Sequence, residues 1–137
     1  MTPAQTILKL IEEVSPDDTA ALKEIDARVW CWLNNKTYDT HAIFNDVVSI
    51  WFGNKGKSVH QFIRYTRSRD SLKSIRPEGY FSIDENGTKG WQASINRPDD
   101  GPSGPCFIIT GMPTEELAEL HAIIQAIEYE CLTPSNK

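Results

Sequence analysis

Apolar residues recur at helical spacing in several parts of the chain and alternate in others, and that pattern predicts its elements. Ile7, Leu10, Ile11 and Val14 lie on one stripe, the 3.6-residue period of an amphipathic helix. Thr2-Pro3-Ala4-Gln5 reads as the start of that helix, with Thr2 as N-cap, Pro3 at the first helical position and Gln5 closing a capping box. Ser15-Pro16-Asp17-Asp18 repeats the signal with Ser15 as the expected cap. Leu22, Ile25, Val29, Trp32 and Leu33 follow, and Asn34-Asn35 ends the run. Thr66 is placed to cap a short helix reaching about Ile75. Pro113-Thr114-Glu115-Glu116 opens a last helix whose stripe is Leu117, Leu120, Ile124, Ile127 and Cys131.

Tyr80 to Asp84, Thr88 to Ile95 and Cys106 to Thr110 read as strands. The first two are joined through Asn86-Gly87, residues that tolerate positive φ in a tight turn. Alternation is expected to set Phe81 and Ile83 with Trp91, Ala93 and Ile95 on an apolar face against the last helix. Tyr80, Ser82, Gln92, Ser94 and Asn96 then form a polar face. Arg97 to Pro105, rich in Pro, Gly and Asp, reads as an exposed and mobile loop. Residues 34–64 carry a weaker pattern, with candidate strands at Val47 to Phe52 and Val59 to Tyr65 around a Gly53-Asn54-Lys55-Gly56-Lys57 turn. They read as a long irregular or partly stranded insertion. The expected fold class is α+β, a small antiparallel sheet of three or more strands with helices packed against it, in a single domain over residues 1–137.

Composition agrees with a folded domain: 137 residues, 39% apolar and 24% charged, suit one core. No apolar run approaches the roughly 20 residues of a membrane span, and the N-terminal residues lack the pattern of an export signal, so a cytoplasmic protein is expected. Cys31, Cys106 and Cys131 form no Cys-x-x-Cys pair and read as buried reduced thiols. The net charge of −5 argues against nucleic acid as the main partner. Its distribution is uneven, because the stretch from Lys55 to Arg76 holds seven of the 14 basic residues and one acid, Asp70.

Ile25-Asp26-Ala27-Arg28-Val29-Trp30, Tyr65-Thr66-Arg67-Ser68-Arg69-Asp70, the strand pair around Trp91 and the final helix from Pro113-Thr114 together resemble the phage ABA sandwich domain family, small proteins of tailed phages and prophages. The resemblance covers about residues 7 to 130. It implies helical layers flanking a sheet, an α/β/α sandwich, in the cytoplasm of an infected bacterial host, and it supplies no reaction. Residues 34–64 look longer than the family's usual link at that place.

Candidate chemistry is sparse. Gly56-Lys57-Ser58 ends like a phosphate-binding loop, but the earlier glycine is replaced by Trp51, and an ordinary glycine turn accounts for it better. His41, His60 and His121 lack metal-ligand or proton-relay spacing, and His121 reads as a structural or surface residue. No cofactor or metal is implied. Trp30 and Trp32 point to different sides of their helix, which suggests an oligomer contact. The sharpest signal is the basic segment. Arg64, Arg67 and Arg69 surround the expected helix start at Thr66, with Arg76, Lys55 and Lys57 near in sequence, so free N–H groups and guanidinium donors would favour a phosphate-bearing ligand. Against this stands a solvated basic face that offsets the acidic remainder. Three readings follow: a non-catalytic accessory protein binding a nucleotide-like anion or a host protein through that segment, a protein-interaction or oligomeric module, and a small phosphoester hydrolase.

Overall fold

The computed structural model describes residues 2–35, 40–44, 47–51, 57–61, 63–97 and 104–132, with side chains for 2–35, 63–97 and 104–131. The chain divides into two compact units, Met1–Thr66 and Arg67–Lys137. The first holds α1 (Pro3–Glu13), α2 (Thr19–Leu33) and a three-stranded antiparallel sheet, β1 (Thr40–Phe44), β2 (Val47–Trp51) and β3 (Lys57–Gln61), in that order. The second holds α3 (Arg69–Ile75), the antiparallel sheet β4 (Phe81–Gly87), β5 (Gly90–Asn96) and β6 (Cys106–Met112), and α4 (Glu115–Leu132). Each sheet is a meander. The class is α+β, with helices packed on an antiparallel sheet: α4 lies against all three strands β4, β5 and β6, and α3 packs on α4.

α1 begins as its sequence dictates. The Thr2 hydroxyl accepts a bond from the Gln5 N–H and the Gln5 side-chain oxygen accepts one from the Thr2 N–H, a complete capping box. Ala4, Ile7 and Ile11 are its buried face. The start of α2 differs from expectation, because Asp18 caps it by accepting from the Ala21 N–H, and the helix begins at Thr19. Ser15 instead closes a preceding turn, its carbonyl accepting from the Asp18 N–H and its hydroxyl from the Asp17 N–H. A carboxylate is the stronger acceptor at the positive end of a helix. At the other end Asn34 caps and Asn35 turns the chain with φ 55°.

Residues 34–64 carry three strands where two were foreseen. β1 is too short to alternate recognisably, and its pairing with β2, Ile43 opposite Val48, defines it. Lys57 opens strand β3, so no helix follows the Gly-Lys-Ser sequence as a phosphate-binding loop would require. Most of the Arg97 to Pro105 loop lies outside the described residues; at its base the Arg97 N–H donates to the Pro105 carbonyl.

The second unit departs from the expected face assignment. Gly87 stands opposite Gly90, so Thr88-Lys89 form the turn in place of Asn86-Gly87. Phe81 pairs with Asn96 and Ile83 with Ser94, while Ser82 pairs with Ile95 and Asp84 with Ala93. Directly opposed residues share a face, so Phe81 and Ile83 look away from Ala93 and Ile95. Ala93 and Ile95 are fully buried, and Phe107 of β6 stacks on Tyr129 of α4 with ring centroids 5.5 Å apart, which marks that face as the helix side. Phe81 and Ile83 are 41% and 55% exposed on the other. Gly90 is obligatory here, since its φ is +116° and a Cβ would meet the Met112 carbonyl at 2.7 Å.

α4 is buried along more than a stripe. Every residue from Leu117 to Ile124 is buried, including Glu119 and His121, whereas Cys131 in its last turn is exposed. Of the thiols expected to be buried only Cys31 is so; Cys106 and Cys131 are exposed. Burial pushes the Cys31 thiol up, partly offset by Arg28, as befits an inert core cysteine. Trp30, Trp32 and Trp91 are all half-buried.

In the first unit the buried carboxylate of Asp26 accepts from the Thr66 N–H at 2.8 Å and from the Thr66 hydroxyl at 3.2 Å, closing a span of 40 residues. Burial, then the Asp26 charge, push the neighbouring Tyr65 phenol from 10.0 up to about 12. Its folded pKa exceeds the unfolded one, so its contribution is complete below pH 10 and is lost as pH rises through about 12. Denaturant melts between pH 9 and 12 should therefore show falling stability, with a shallower fall in Tyr65→Phe. Asp26→Ala should cost about 1.5–3 kcal/mol at neutral pH, because it strands a buried donor. Asp26→Asn, which can still bond Thr66, should cost less.

Candidate functional site

The densest group of charge is built by three elements of the second unit. Arg69 is the first residue of α3, Asp84 stands on the helix side of β4, and Glu115 and Glu119 are one turn apart at the start of α4. Arg69 Nη2 donates to Asp84 Oδ2 at 3.2 Å, Nη1 lies 3.4 Å from Glu115 Oε1, and Nε lies 3.6 Å from Glu119 Oε2. Ser82, next on the same face of β4, donates its hydroxyl to Asp84 Oδ1 at 2.8 Å. Asp84 and Glu119 side chains are only 4% and 2% exposed while Arg69 is 47% exposed, so the guanidinium covers two buried carboxylates with its outer side in water.

The electrostatics follow from that geometry. Burial, then the Asp84 charge, raise the Glu119 carboxyl above its ordinary value, while the Ser82 hydroxyl, Arg69 and Arg76 pull it back. Burial lowers the Arg69 guanidinium, but Glu119, Glu115 and Asp84 more than reverse this, so the pair is held charged on the arginine side. Glu119 Oε2 accepts no hydrogen bond, its Arg69 contact being longer than one. A raised carboxyl beside another is the pattern of a general acid, but this one is buried where a substrate does not reach. Among the described residues no group of three or more His, Cys, Asp or Glu is arranged to hold a metal ion.

The residues read as an anion site are placed as follows. Arg69 is engaged by three carboxylates, and Arg76, half-buried at the end of α3, acts on the same Glu119. Arg64 and Arg67 are exposed and stand on either side of the division between the units, and each has an interaction of its own. Lys55 and the side chain of Lys57 lie outside the described residues. The expected helix start also shifts, since Ser68 caps α3 by accepting from the Ser71 N–H while Thr66 is committed to Asp26. α3 has seven residues, so its first-turn donors largely serve its own cap.

A second cluster closes the far end of α4. Tyr80 donates its hydroxyl to Glu130 at 2.9 Å, Arg97 forms an ion pair with the same carboxylate, and the Arg97 guanidinium lies 5.5 Å from the Tyr80 ring centre. Burial, then the Glu130 bond, push the Tyr80 phenol well up.

The open side of the β4–β5–β6 sheet is the other feature. Phe81, Ile83 and Ile108 are 41%, 55% and 53% exposed on it, and Cys106 lies beside Ser94, Sγ to Oγ 3.7 Å. Sequence reasoning missed both this face and the partners of Arg69. The usable signal was parity: a two-residue turn pairs odd-numbered with even-numbered positions. Comparison with known proteins gives no family model, no curated protein and no solved structure that matches the chain.

Arg69→Leu should cost about 1–2 kcal/mol at pH 7, less than the about 3–5 kcal/mol of a fully buried broken pair because Arg69 is 47% exposed. The folded pKa of Glu119 is raised, so its contribution is complete below 4.5 and declines as pH rises through the folded value. Chemical melts from pH 4 to 8 should show a flatter profile for Glu119→Gln, and the Arg69→Leu penalty should shrink toward pH 4.

Proposed function

We propose that this chain is a non-catalytic protein-interaction module that works through the open face of its β4–β5–β6 sheet. The observation that carries the reading is the hairpin register, which turns Ile83 and Phe81 to solvent and Asp84 to the interior. Exposing large apolar side chains on one face has a cost in isolation, and a partner that covers that face removes it. The face is almost free of charge: Ser94, Asn96, Cys106 and Ile108 share it, with Glu85 at one end. A protein of net charge −5 can therefore meet a second copy there without setting like charges in contact.

Three strands of seven residues offer roughly 340 Å² at the usual strand spacing and rise. That matches a functional patch and falls below the about 800 Å² per partner of a stable complex. The association it supports is weak and reversible, by stacking of like sheet faces. The basic segment offers less support for anion binding, because Arg69 is already neutralised from three sides. The resemblance of segments such as Tyr65-Thr66-Arg67-Ser68-Arg69-Asp70 to the phage ABA sandwich domain family is the ground for extending the proposal to a small phage accessory protein.

Sedimentation velocity up to high micromolar concentration should show weak self-association, lost in Ile83→Lys. That variant should keep the parent's stability within about 0.5 kcal/mol, as an exposed position should. In a Cys131→Ser background, alkylation of Cys106 should slow as protein concentration rises. A monomer at every concentration, with constant Cys106 reactivity, overturns the reading.

A further inference from the structure

The first unit carries a groove that the sheet-face reading does not use. It lies between the end of α1 and the start of α2, with a volume of about 330 Å³, the lower end of the range for small-ligand sites. Its floor is apolar: Leu10 from α1, Val14 just past its end, and Ala21 and Ile25 from α2, with Ile25 1% exposed and the others half-buried. Its rim is acidic, formed by Glu13, Asp18 and Glu24, and no Lys or Arg lines it.

Two further features make the groove selective for positive charge. α1 has no basic residue in its last turn and ends on Glu13, so a carboxylate sits at the negative end of the helix dipole, where a cation is favoured. Residues 2–35 carry six acidic and three basic side chains, and Arg28, one turn further along α2, bonds Glu24 of the rim at 3.1 Å. The positive N-terminus of α2 at the same mouth is capped by Asp18, so the charge presented there is set by the carboxylates of Glu13, Asp18 and Glu24 and is negative, while the floor gains only from apolar contact. A ligand that satisfies both has an apolar side chain next to positive charge.

We propose that the α1–α2 groove is a docking site for a basic amphipathic segment of a protein partner, a large apolar side chain seated on Leu10 and Val14 above the buried Ile25, with flanking Lys or Arg at Glu13 and Asp18. An anionic amphiphile of the same apolar size is repelled at the rim, and a basic segment without an apolar residue leaves the floor empty. Rim pairs are solvent-screened, so attraction weakens with salt while the apolar contact does not.

The test uses the full chain and three blocked peptides, Lys-Lys-Trp-Lys-Lys, Glu-Glu-Trp-Glu-Glu and Lys-Lys-Gly-Lys-Lys, titrated while backbone amide shifts are followed. The expected result is binding of the first peptide alone, with shifts centred on residues 10–25. It should weaken by about ten-fold in Glu13→Lys, which replaces an attraction by a repulsion at one exposed site. Val14→Lys, altering the floor at a second position beyond the end of α1, should also weaken it, and the amide spectra show whether either variant remains folded. Equal binding of the acidic peptide, equal binding of the glycine peptide, shifts centred outside the groove, or no binding of any peptide overturns the proposal. Because the groove and the sheet face lie in different units, loss of self-association in Ile83→Lys leaves this result unaffected.

Discussion

A two-residue turn at Thr88-Lys89 sets odd-numbered residues of β4 against even-numbered residues of β5, and most of the second unit follows from that parity. With Ser82 and Asp84 on the helix side, a carboxylate enters a face otherwise made of Ala93, Ile95 and Phe107. An isolated buried charge of this kind costs several kcal/mol, so the fold must bring a cation to it. Arg69 at the start of α3 meets that need, and the position of α3 on α4 is tied to it as much as to its buried Leu72. The same parity sends Phe81 and Ile83 outward, so the charge cluster and the exposed apolar face are two results of one register.

Arg69 is shared among three acids, which sets the character of the cluster. One guanidinium cannot hold Asp84, Glu115 and Glu119 at good distance together: the contacts lengthen from 3.2 to 3.4 to 3.6 Å in that order. The least satisfied member is also a fully buried one, Glu119, whose carboxyl is raised first by burial and then by Asp84. The arrangement is an ion network with one under-satisfied acid at its back, and the desolvation of its buried carboxylates offsets much of what the pairing contributes to stability. At the other end of α4, Glu130 has both a phenol and a guanidinium as partners.

Local signals in the sequence were sufficient for the helices. The capping box of α1, the asparagines ending α2, and Thr114 accepting from the Leu117 N–H at the start of α4 all involve residues within a turn of one another. What was not legible depends on distance along the chain. Thr66 reads as a helix cap until Asp26, 40 residues earlier, takes both its donors, and the cap passes to Ser68. Arg67 and Arg69 read as a pair aimed at an anion, but alternate residues on a turn need not face together, and Arg69 finds its acids in β4 and α4. Alternation within each strand sets Phe81 and Ile83 with Ala93 and Ile95 only if odd-numbered residues face odd-numbered ones, and counting through a two-residue turn reverses that.

The segment Tyr65-Thr66-Arg67-Ser68-Arg69-Asp70 is thereby explained without a ligand. It spans the division between the units, and its side chains secure each one separately: Thr66 closes on Asp26 in the first, and Arg69 closes on Asp84 and Glu119 in the second. In both cases a buried carboxylate, costly alone, is satisfied by a residue far away in sequence. Such a segment resists substitution for structural reasons, because its two anchors hold buried carboxylates on either side of the exposed Arg67. Among the described residues, the two anchors leave uncommitted the acidic-rimmed groove of the helical hairpin and the sparsely charged face of the second sheet, and it is on these that the proposals of partner binding rest.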